Sequence, residues 1–167
     1  AMSLSPAMAC RAKVGPECHL FAPSMTLAHT PDTAQQALER VQHAWSQAAA
    51  SWDVDALAAR YTEDALFMGG RPGHQIGRTA IRDYFASYTG TILSASLTLS
   101  DFSAQQIDPG CVMGQGFVNF KFHLKGDEHT TSRLRGAWVL QAHAEGWRIR
   151  LHHFSTEPVQ PPLGSSR

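Results

Sequence analysis

The first regular pattern along the chain is an amphipathic helix that begins near Thr30. Thr30 is the predicted N-cap, Pro31 suits the first helical position, and Asp32 favours the positive end of the helix. Apolar residues then recur at spacings of three and four, which predicts a helix of about five turns with one buried face. That face comprises Ala34, Ala37, Leu38, Val41, Ala44, Trp45 and Ala48.

Two shorter helices with a strand between them are predicted next. Asp53 is the expected cap of the second helix, and the residues 64–68 predict a short strand that stops at the glycine-rich stretch 69–73. Gly77 precedes the third helix. The apolar stripes are Val54, Leu57, Ala58 and Tyr61 for the second helix and Ile81, Tyr84, Phe85 and Tyr88 for the third.

After Gly90 the apolar period changes from helical spacing to two, which is typical of half-buried strands. Four strands are predicted at 91–100, 111–124, 133–141 and 147–154, and their short connections favour an antiparallel sheet. Helices followed by strands indicate an α+β domain. It spans residues 31–158, between an irregular N-terminal arm at 1–30 and a C-terminal tail at 159–167.

Composition narrows the class of protein. Fourteen Lys and Arg balance fourteen Asp and Glu, so a nucleic-acid partner or a membrane surface is not expected. Hydrophobic residues make up 43% of the chain, enough for a core, yet no apolar run approaches the ~18 residues of a membrane span. The three cysteines, Cys10, Cys18 and Cys111, fit neither a disulfide framework nor a zinc pattern. We therefore expect a cytoplasmic protein without a metal site or a cofactor.

Three stretches resemble the nuclear transport factor 2-like superfamily, in particular its SnoaL-like branch and the association domain of calcium/calmodulin-dependent kinase II. The stretch 51–65 (SWDVDALAARYTEDA) resembles the second helix of the family and its exit. The stretch 77–85 (GRTAIRDYF) resembles the third helix, and 146–155 (GWRIRLHHFS) resembles the last strand, which ends in a His-x-Ser pattern.

The resemblance implies a cone, in which a curved antiparallel sheet wraps around the long first helix and leaves a pocket at its wide end. Members of this superfamily include isomerases, dehydratases, cyclases, binding proteins and oligomerisation modules, so the fold does not determine the function. Ketosteroid isomerases of this fold need a carboxylate base at the end of the strand after the second helix. The matching stretch 67–70 contains no acid, and the tyrosine that serves them as oxyanion donor aligns with Trp45.

Proton transfer, if it occurs, falls to histidine and tyrosine, because the four segments 91–100, 111–124, 131–142 and 147–154 contain no Asp or Glu. The candidate catalytic residues are His153, His152 and Tyr61, a combination that resembles the site of scytalone dehydratase. Neighbours on a strand point to opposite faces, so only one of the two histidines enters the pocket. His153 matches the His-x-Ser position of the family. The alternative to a catalytic role is that this histidine only packs and forms hydrogen bonds.

Arginines also alternate on the last two strands, at 133 and 135 and at 148 and 150. In one register the four cluster on one face with His152, and in the other Arg135 faces His153. Such a cluster would suit a carboxylate or a phosphate, and the alternative is a solvated or subunit-contact face.

The resemblance places Trp138 and Phe154 where the kinase association domain has pocket arginines, so their side chains are expected to face inward. The predicted pocket is therefore mainly aromatic, although aromatic residues at helical spacing also form ordinary cores. The predicted ligand-binding residues are Trp138, Phe154, Trp45, Tyr61, Tyr84, Phe85 and Arg135.

Three functions remain open at this point. The first is the binding of a small hydrophobic or aromatic molecule, with or without a carboxylate. The second is oligomerisation, and the third is a His/Tyr-dependent dehydratase, isomerase or cyclase. Apolar residues on both faces of the strands, such as Phe117 beside Val118, predict a homodimer formed through the outer face of the sheet.

Overall fold

The computed structural model describes residues 32–164, so the predicted arm at 1–30 and the last three residues of the tail lie outside the described residues. Three helices and a six-stranded open sheet confirm the predicted α+β class. Among the described helices, none is long and apolar enough to cross a membrane.

Helix α1 (Ala34–Ala49) is the predicted amphipathic helix, and it begins later than expected. Its N-cap is Thr33, not Thr30. The Thr33 hydroxyl accepts a hydrogen bond from Gln36 N (3.2 Å), and the Gln36 side chain accepts one from Thr33 N (3.0 Å). This capping box satisfies two backbone donors at once, which is why the helix begins there.

Helix α2 (Val54–Ala58) is capped as predicted by Asp53, whose carboxylate accepts a hydrogen bond from Ala56 N at 2.9 Å. The sequence predicted Tyr61 as part of the apolar stripe of this helix, and that prediction is wrong because α2 ends at Ala58. Tyr61 instead opens strand β1 (Tyr61–Met68), which is longer than the predicted segment. A two-residue strand β2 (Gln75–Ile76) and helix α3 (Arg78–Ala86), which follows Gly77 as expected, complete this half.

The four predicted strands are confirmed as β3 (Ile92–Asp108), β4 (Cys111–Leu124), β5 (Glu128–His143) and β6 (Gly146–Ser155). The sheet order is β2-β1-β6-β5-β4-β3, and every neighbouring pair is antiparallel except β1 with β6. Because the strands are longer than predicted, they do carry acids. Those on the last four strands, Asp101, Asp108 and Glu128, are all exposed.

Helix α1 covers one face of the sheet. Its buried residues Leu38, Val41 and Trp45 belong to the hydrophobic core of the described residues, and Ser46 hydrogen-bonds the helix to the sheet. The Ser46 hydroxyl donates to Leu97 O and accepts from Leu97 N, both at 3.1 Å. The helices therefore define an inner face of the sheet, and no element of the described chain covers the centre of its outer face.

A β-bulge at Arg150 decides which residues of β6 face inward. Val139 pairs with Leu151 and Leu140 pairs with Ile149, so Arg150 has no register partner on β5. Its guanidinium contacts Asp64 at 3.1 Å and donates a hydrogen bond to Gln141 Oε1 at 3.2 Å. The extra residue breaks the alternation of the strand, and Ile149 and the residue three positions later, His152, are both buried.

Neither predicted arrangement of the arginines is therefore observed. Trp138 lies opposite His152, Ala137 lies opposite His153, and Arg135 lies opposite Ser155. Arg150 and His152 do not share a face, because the bulge separates them.

Candidate functional site

An aromatic cavity of about 180 Å³ lies between the inner face of the sheet and the helices. Nine of its thirteen lining residues are aromatic, and none is acidic. Its walls come from elements distant in sequence. Helix α1 supplies Trp45, helix α3 supplies Tyr84 and Phe85, strand β4 supplies Phe120, and strand β6 supplies Phe154.

The polar groups of this cavity are concentrated at the hydroxyl of Tyr84. That oxygen accepts a hydrogen bond from Gly70 N at 2.9 Å and lies 3.4 Å from the Tyr88 hydroxyl. Burial and the Tyr88 hydroxyl raise the pKa of Tyr84 well above its ordinary value, so the phenol is neutral at physiological pH. The loop can approach this closely because residue 69 is glycine. A Cβ there would lie 2.5 Å from Tyr84 Cζ and 2.8 Å from Phe67 Cε1.

A positive charge lies beside the cavity, on the loop after β1. The Arg71 guanidinium is 4.3 Å from the centre of the Tyr88 ring, a cation–π contact, and it donates a hydrogen bond to Ser87 O at 3.3 Å. Arg71 is exposed and forms no ion pair with any carboxylate within residues 32–164. The charge is therefore available to an anionic group near the cavity.

A second polar feature, the Tyr61–His152 pair, lies deeper in the core. The Tyr61 hydroxyl and His152 Nδ1 are 2.9 Å apart, and the side chains are 0% and 1% exposed. His152 Nε2 and Trp45 Nε1 are both buried without a hydrogen-bond partner in the described part of the chain. Unsatisfied buried polar atoms are uncommon, and they often mark a place where water or a ligand binds.

Burial keeps both members of this pair neutral. It lowers the pKa of His152 from 6.5 to about 3, with a smaller contribution from the neighbouring His153. It also raises the pKa of Tyr61 far above its ordinary value. If the Tyr61 hydroxyl donates to Nδ1 of His152, the imidazole proton is on Nε2, which is then a donor. If the imidazole proton is on Nδ1, that nitrogen donates to the Tyr61 oxygen and Nε2 is an acceptor.

The structure separates the predicted site residues into three places. Trp45, Tyr84, Phe85 and Phe154 line the aromatic cavity. Tyr61, His152 and Trp138 lie in the core beside it, where the Trp138 ring is 5.3 Å from that of His152. His153 and Arg135 were predicted as site residues of the pocket. In the structure they are exposed on the outer face of the sheet and do not face the cavity.

Several lining residues were not among the predicted site residues. Phe120 and Phe122 line the cavity from β4, and their i, i+2 spacing was a signal for one shared face. Tyr88 also lines it, although it was predicted only as part of a helix stripe. No local pattern identifies Arg71, because its position depends on how the glycine-rich loop meets the end of α3.

An apolar row crosses the outer face of the sheet. Its members are in direct register on five adjacent strands, namely Ile76, Leu66, Leu151, Val139 and Met113. Ile76, Leu66 and Met113 are 63%, 47% and 46% exposed. A hollow of about 380 Å³ lies over Met113, Val139 and Leu151. Contiguous exposed apolar surface of this kind is typical of a contact site.

The open sheet packed against α1, with an aromatic cavity between sheet and helices, is the fold of a solved Salmonella enterica protein assigned to the nuclear transport factor 2-like superfamily. A family model described as a SnoaL-like domain matches residues 38–160, and the chain belongs to that family. The resemblance found in the sequence is thereby confirmed. No curated protein matches the chain.

Solved structures show the same fold at low sequence identity. A Xanthomonas campestris protein assigned as a calcium/calmodulin-dependent kinase II association domain is 18% identical, with a TM-score of 0.69, over 77% of this chain and 91% of that one. A Novosphingobium aromaticivorans protein assigned as a scytalone dehydratase is 15% identical, with a TM-score of 0.61, over 80% and 95%. A ketosteroid isomerase-like protein from Erwinia carotovora atroseptica is 18% identical, with a TM-score of 0.59, over 75% and 95%. At these identities the likeness shows the fold alone.

Proposed function

We propose that the aromatic cavity binds a small planar molecule that contains one aromatic ring. The observation that carries this proposal is the lining itself, nine aromatic side chains around about 180 Å³. An apolar cavity of roughly 150 Å³ is large enough for benzene in another protein. Aromatic walls add offset-stacked and edge-to-face contacts, which favour an aromatic ring over an aliphatic chain of equal volume.

The preferred ligand carries a carboxylate close to its ring. Arg71 lies against Tyr88, one of the lining residues, and has no carboxylate partner among the described residues. The lining contains no acid that would repel an anion. A guanidinium presents paired donors that match the geometry of a carboxylate, so Arg71 takes the role that the sequence had suggested for Arg135.

Binding is favoured over proton-transfer catalysis because the Tyr61–His152 pair lies outside the cavity lining. The pair is almost fully buried, and a general acid or base must come within hydrogen-bond distance of the group it serves. Proteins of this fold include two assigned as dehydratases and one described as ketosteroid isomerase-like. A His/Tyr-dependent reaction in this chain would require the ligand to pass Phe154 and reach His152 Nε2.

Calorimetric titration with benzoate and benzyl alcohol tests the proposal. The two probes share a ring and differ in charge, so both should bind and benzoate should bind more tightly. Arg71→Gln should weaken benzoate binding by about tenfold, the lower range for a hydrogen bond to a charged group, because Arg71 is exposed. It should leave benzyl alcohol unchanged. Arg135→Gln is the matched control on the outer face and should alter neither affinity.

A variant whose cavity is filled by a larger side chain shows whether the probes bind in the cavity or elsewhere on the protein. Ser132 lines it, and Ser132→Leu adds apolar volume without removing an aromatic wall. We expect this variant to lose both probes while retaining its thermal midpoint within a few degrees. If neither probe binds the parent protein at millimolar concentration, or if Ser132→Leu binds both normally, the cavity is not the binding site.

A second proposal concerns assembly, and it rests on the apolar row of the outer face. We propose that two copies of the chain pair through this row. Three of its members are about half exposed or more, and the row continues across five strands without a charged residue. A second copy presents the same row, so a two-fold interface covers both surfaces at once.

Sedimentation at micromolar concentration tests this pairing. The parent protein should sediment as a dimer, and Met113→Glu should convert it to a folded monomer by placing a charge in the row. Thr98→Glu, on an exposed position of β3 outside the row, is the matched control and should remain dimeric. A monomeric parent protein would refute the proposal.

A further inference from the structure

We propose that His123, Asp127 and His129 form a binding site for a divalent transition-metal ion, with Zn²⁺ as the representative. The three residues lie at the hairpin that joins β4 to β5, and none of them lines the aromatic cavity. One ligand atom from each lies within 4.8 Å of the other two. The site is independent of the proposed function of the cavity.

The distances suit tetrahedral coordination. With metal–ligand bonds of about 2.0–2.1 Å, the ligand atoms of a tetrahedral zinc site lie about 3.3 Å apart. In the structure, Asp127 Oδ1 is 3.1 Å from His123 Nε2 and 3.6 Å from His129 Nε2. Both distances lie within about 0.3 Å of that value. The histidine nitrogens must approach one another, and the side chains are exposed enough for ring rotation.

The hairpin places these residues together through its register and its turn. His123 and His129 are directly paired across β4 and β5, and their rings stack at 4.5 Å with an angle of 6° between the planes. The turn between the paired residues Leu124 and Glu128 has three residues, and two of them, Gly126 and Asp127, have positive φ, 87° and 61°. The turn thus presents the Asp127 carboxylate to both imidazole rings.

The donor set indicates the class of metal. Two imidazoles and one carboxylate suit zinc, copper and nickel, whereas magnesium and calcium prefer oxygen ligands alone. Three protein ligands leave a fourth position for water or another group. Lys121 lies on the same face of β4, two residues before His123, and its positive charge opposes the ion. This site should therefore bind zinc more weakly than a site with four protein ligands and no neighbouring cation.

Calorimetric titration of the full chain with ZnCl₂ tests the site. His123→Ala and His129→Ala should each weaken this binding by more than about 100-fold, because losing a ligand should exceed the 10–100-fold cost of losing a ligand's hydrogen-bond partner. His74→Ala is the matched control, since His74 is also exposed and lies outside the hairpin. It should leave the affinity unchanged, and MgCl₂ should not bind.

Two further readouts distinguish this site from others in the chain. In a ¹³C-labelled sample, the ring resonances of His123 and His129 should shift together as one equivalent of zinc is added. The variants should keep the parent thermal midpoint in chelator, which shows that they fold. The proposal is overturned if the parent protein binds no zinc, or if both histidine variants bind one equivalent with the parent affinity.

Discussion

Acidification should destabilise this protein through His152 well before its carboxylates are protonated. The imidazole is 1% exposed, and its burial lowers its pKa from 6.5 to about 3. In the unfolded chain the same group regains the ordinary pKa. Below pH 6.5 the unfolded state therefore binds a proton that the folded state does not, and the proton favours unfolding.

The sign and size of the effect follow from this difference. The contribution of neutral, buried His152 to the free energy of unfolding is fully present above pH 6.5 and is lost as the pH falls towards about 3. One proton changes the free energy of unfolding by at most about 1.4 kcal/mol per pH unit. Between pH 8 and pH 5 the loss from His152 alone amounts to about 2 kcal/mol, a large share of the stability of an ordinary domain.

Urea denaturation from pH 8 to pH 5 measures the effect, at one protein concentration so that any association is held constant. His152→Gln replaces the imidazole by a neutral side chain that does not titrate. This variant should be less stable at pH 8, because Tyr61 loses its partner, but its stability should fall by about 2 kcal/mol less over the range. His153→Gln removes only the smaller cause of the lowered pKa of His152, so most of the loss seen in the parent should remain in this variant.

The reasoning is refuted if His152→Gln and the parent protein lose stability in parallel between pH 8 and pH 5. Parallel curves would mean that His152 takes up a proton in the folded state as readily as in the unfolded chain. A ring resonance of His152 that titrates near pH 6.5 in the folded protein would lead to the same conclusion.

Three further predictions concern stability. Gly136→Ala should cost about 1–3 kcal/mol in urea denaturation, because the new Cβ would lie 2.7 Å from Val118 Cγ2. Gly110→Ala, whose Cβ would meet nothing nearer than 3.9 Å, should stay within about 0.5 kcal/mol of the parent. Asp53→Ala should cost about 1 kcal/mol by removing the cap of α2, and Asp53→Ser should restore most of it. A chain that begins at Met25 should keep its thermal midpoint, and a fall of more than about 5 °C, on the order of 1 kcal/mol, would contradict this expectation.

Local patterns in the sequence were sufficient for the elements and for the family. Apolar spacing identified the buried face of α1, and alternation identified four strands, because each element must place its apolar side chains on one face. The capping role of Asp53 was also predictable, since a cap depends on a few neighbouring residues. The end of α2 and the start of α1 were placed incorrectly. Tyr61 keeps helical spacing although it begins a strand, and the hydrogen bonds of Thr33 displaced the expected cap.

Only the tertiary structure decided which residues of the last strand face the core. Strict alternation would have put Arg150 and His152 on one face, and the bulge at Arg150 separates them. A bulge depends on pairing with another strand, so the residue pattern of β6 alone does not reveal it. His152 is buried and His153 is exposed for this reason.

The composition of the candidate sites was decided in the same way. Arg71 lies beside the cavity because two glycines bring its loop against Tyr84 and Tyr88, at the end of a helix that follows later in the chain. The register of β4 with β5 pairs His123 with His129. The outer apolar row exists only because five strands align one apolar residue each. Sequence periodicity determines the face on which a side chain lies, whereas its neighbours across that face depend on strand order and register, which are set by contacts between distant segments.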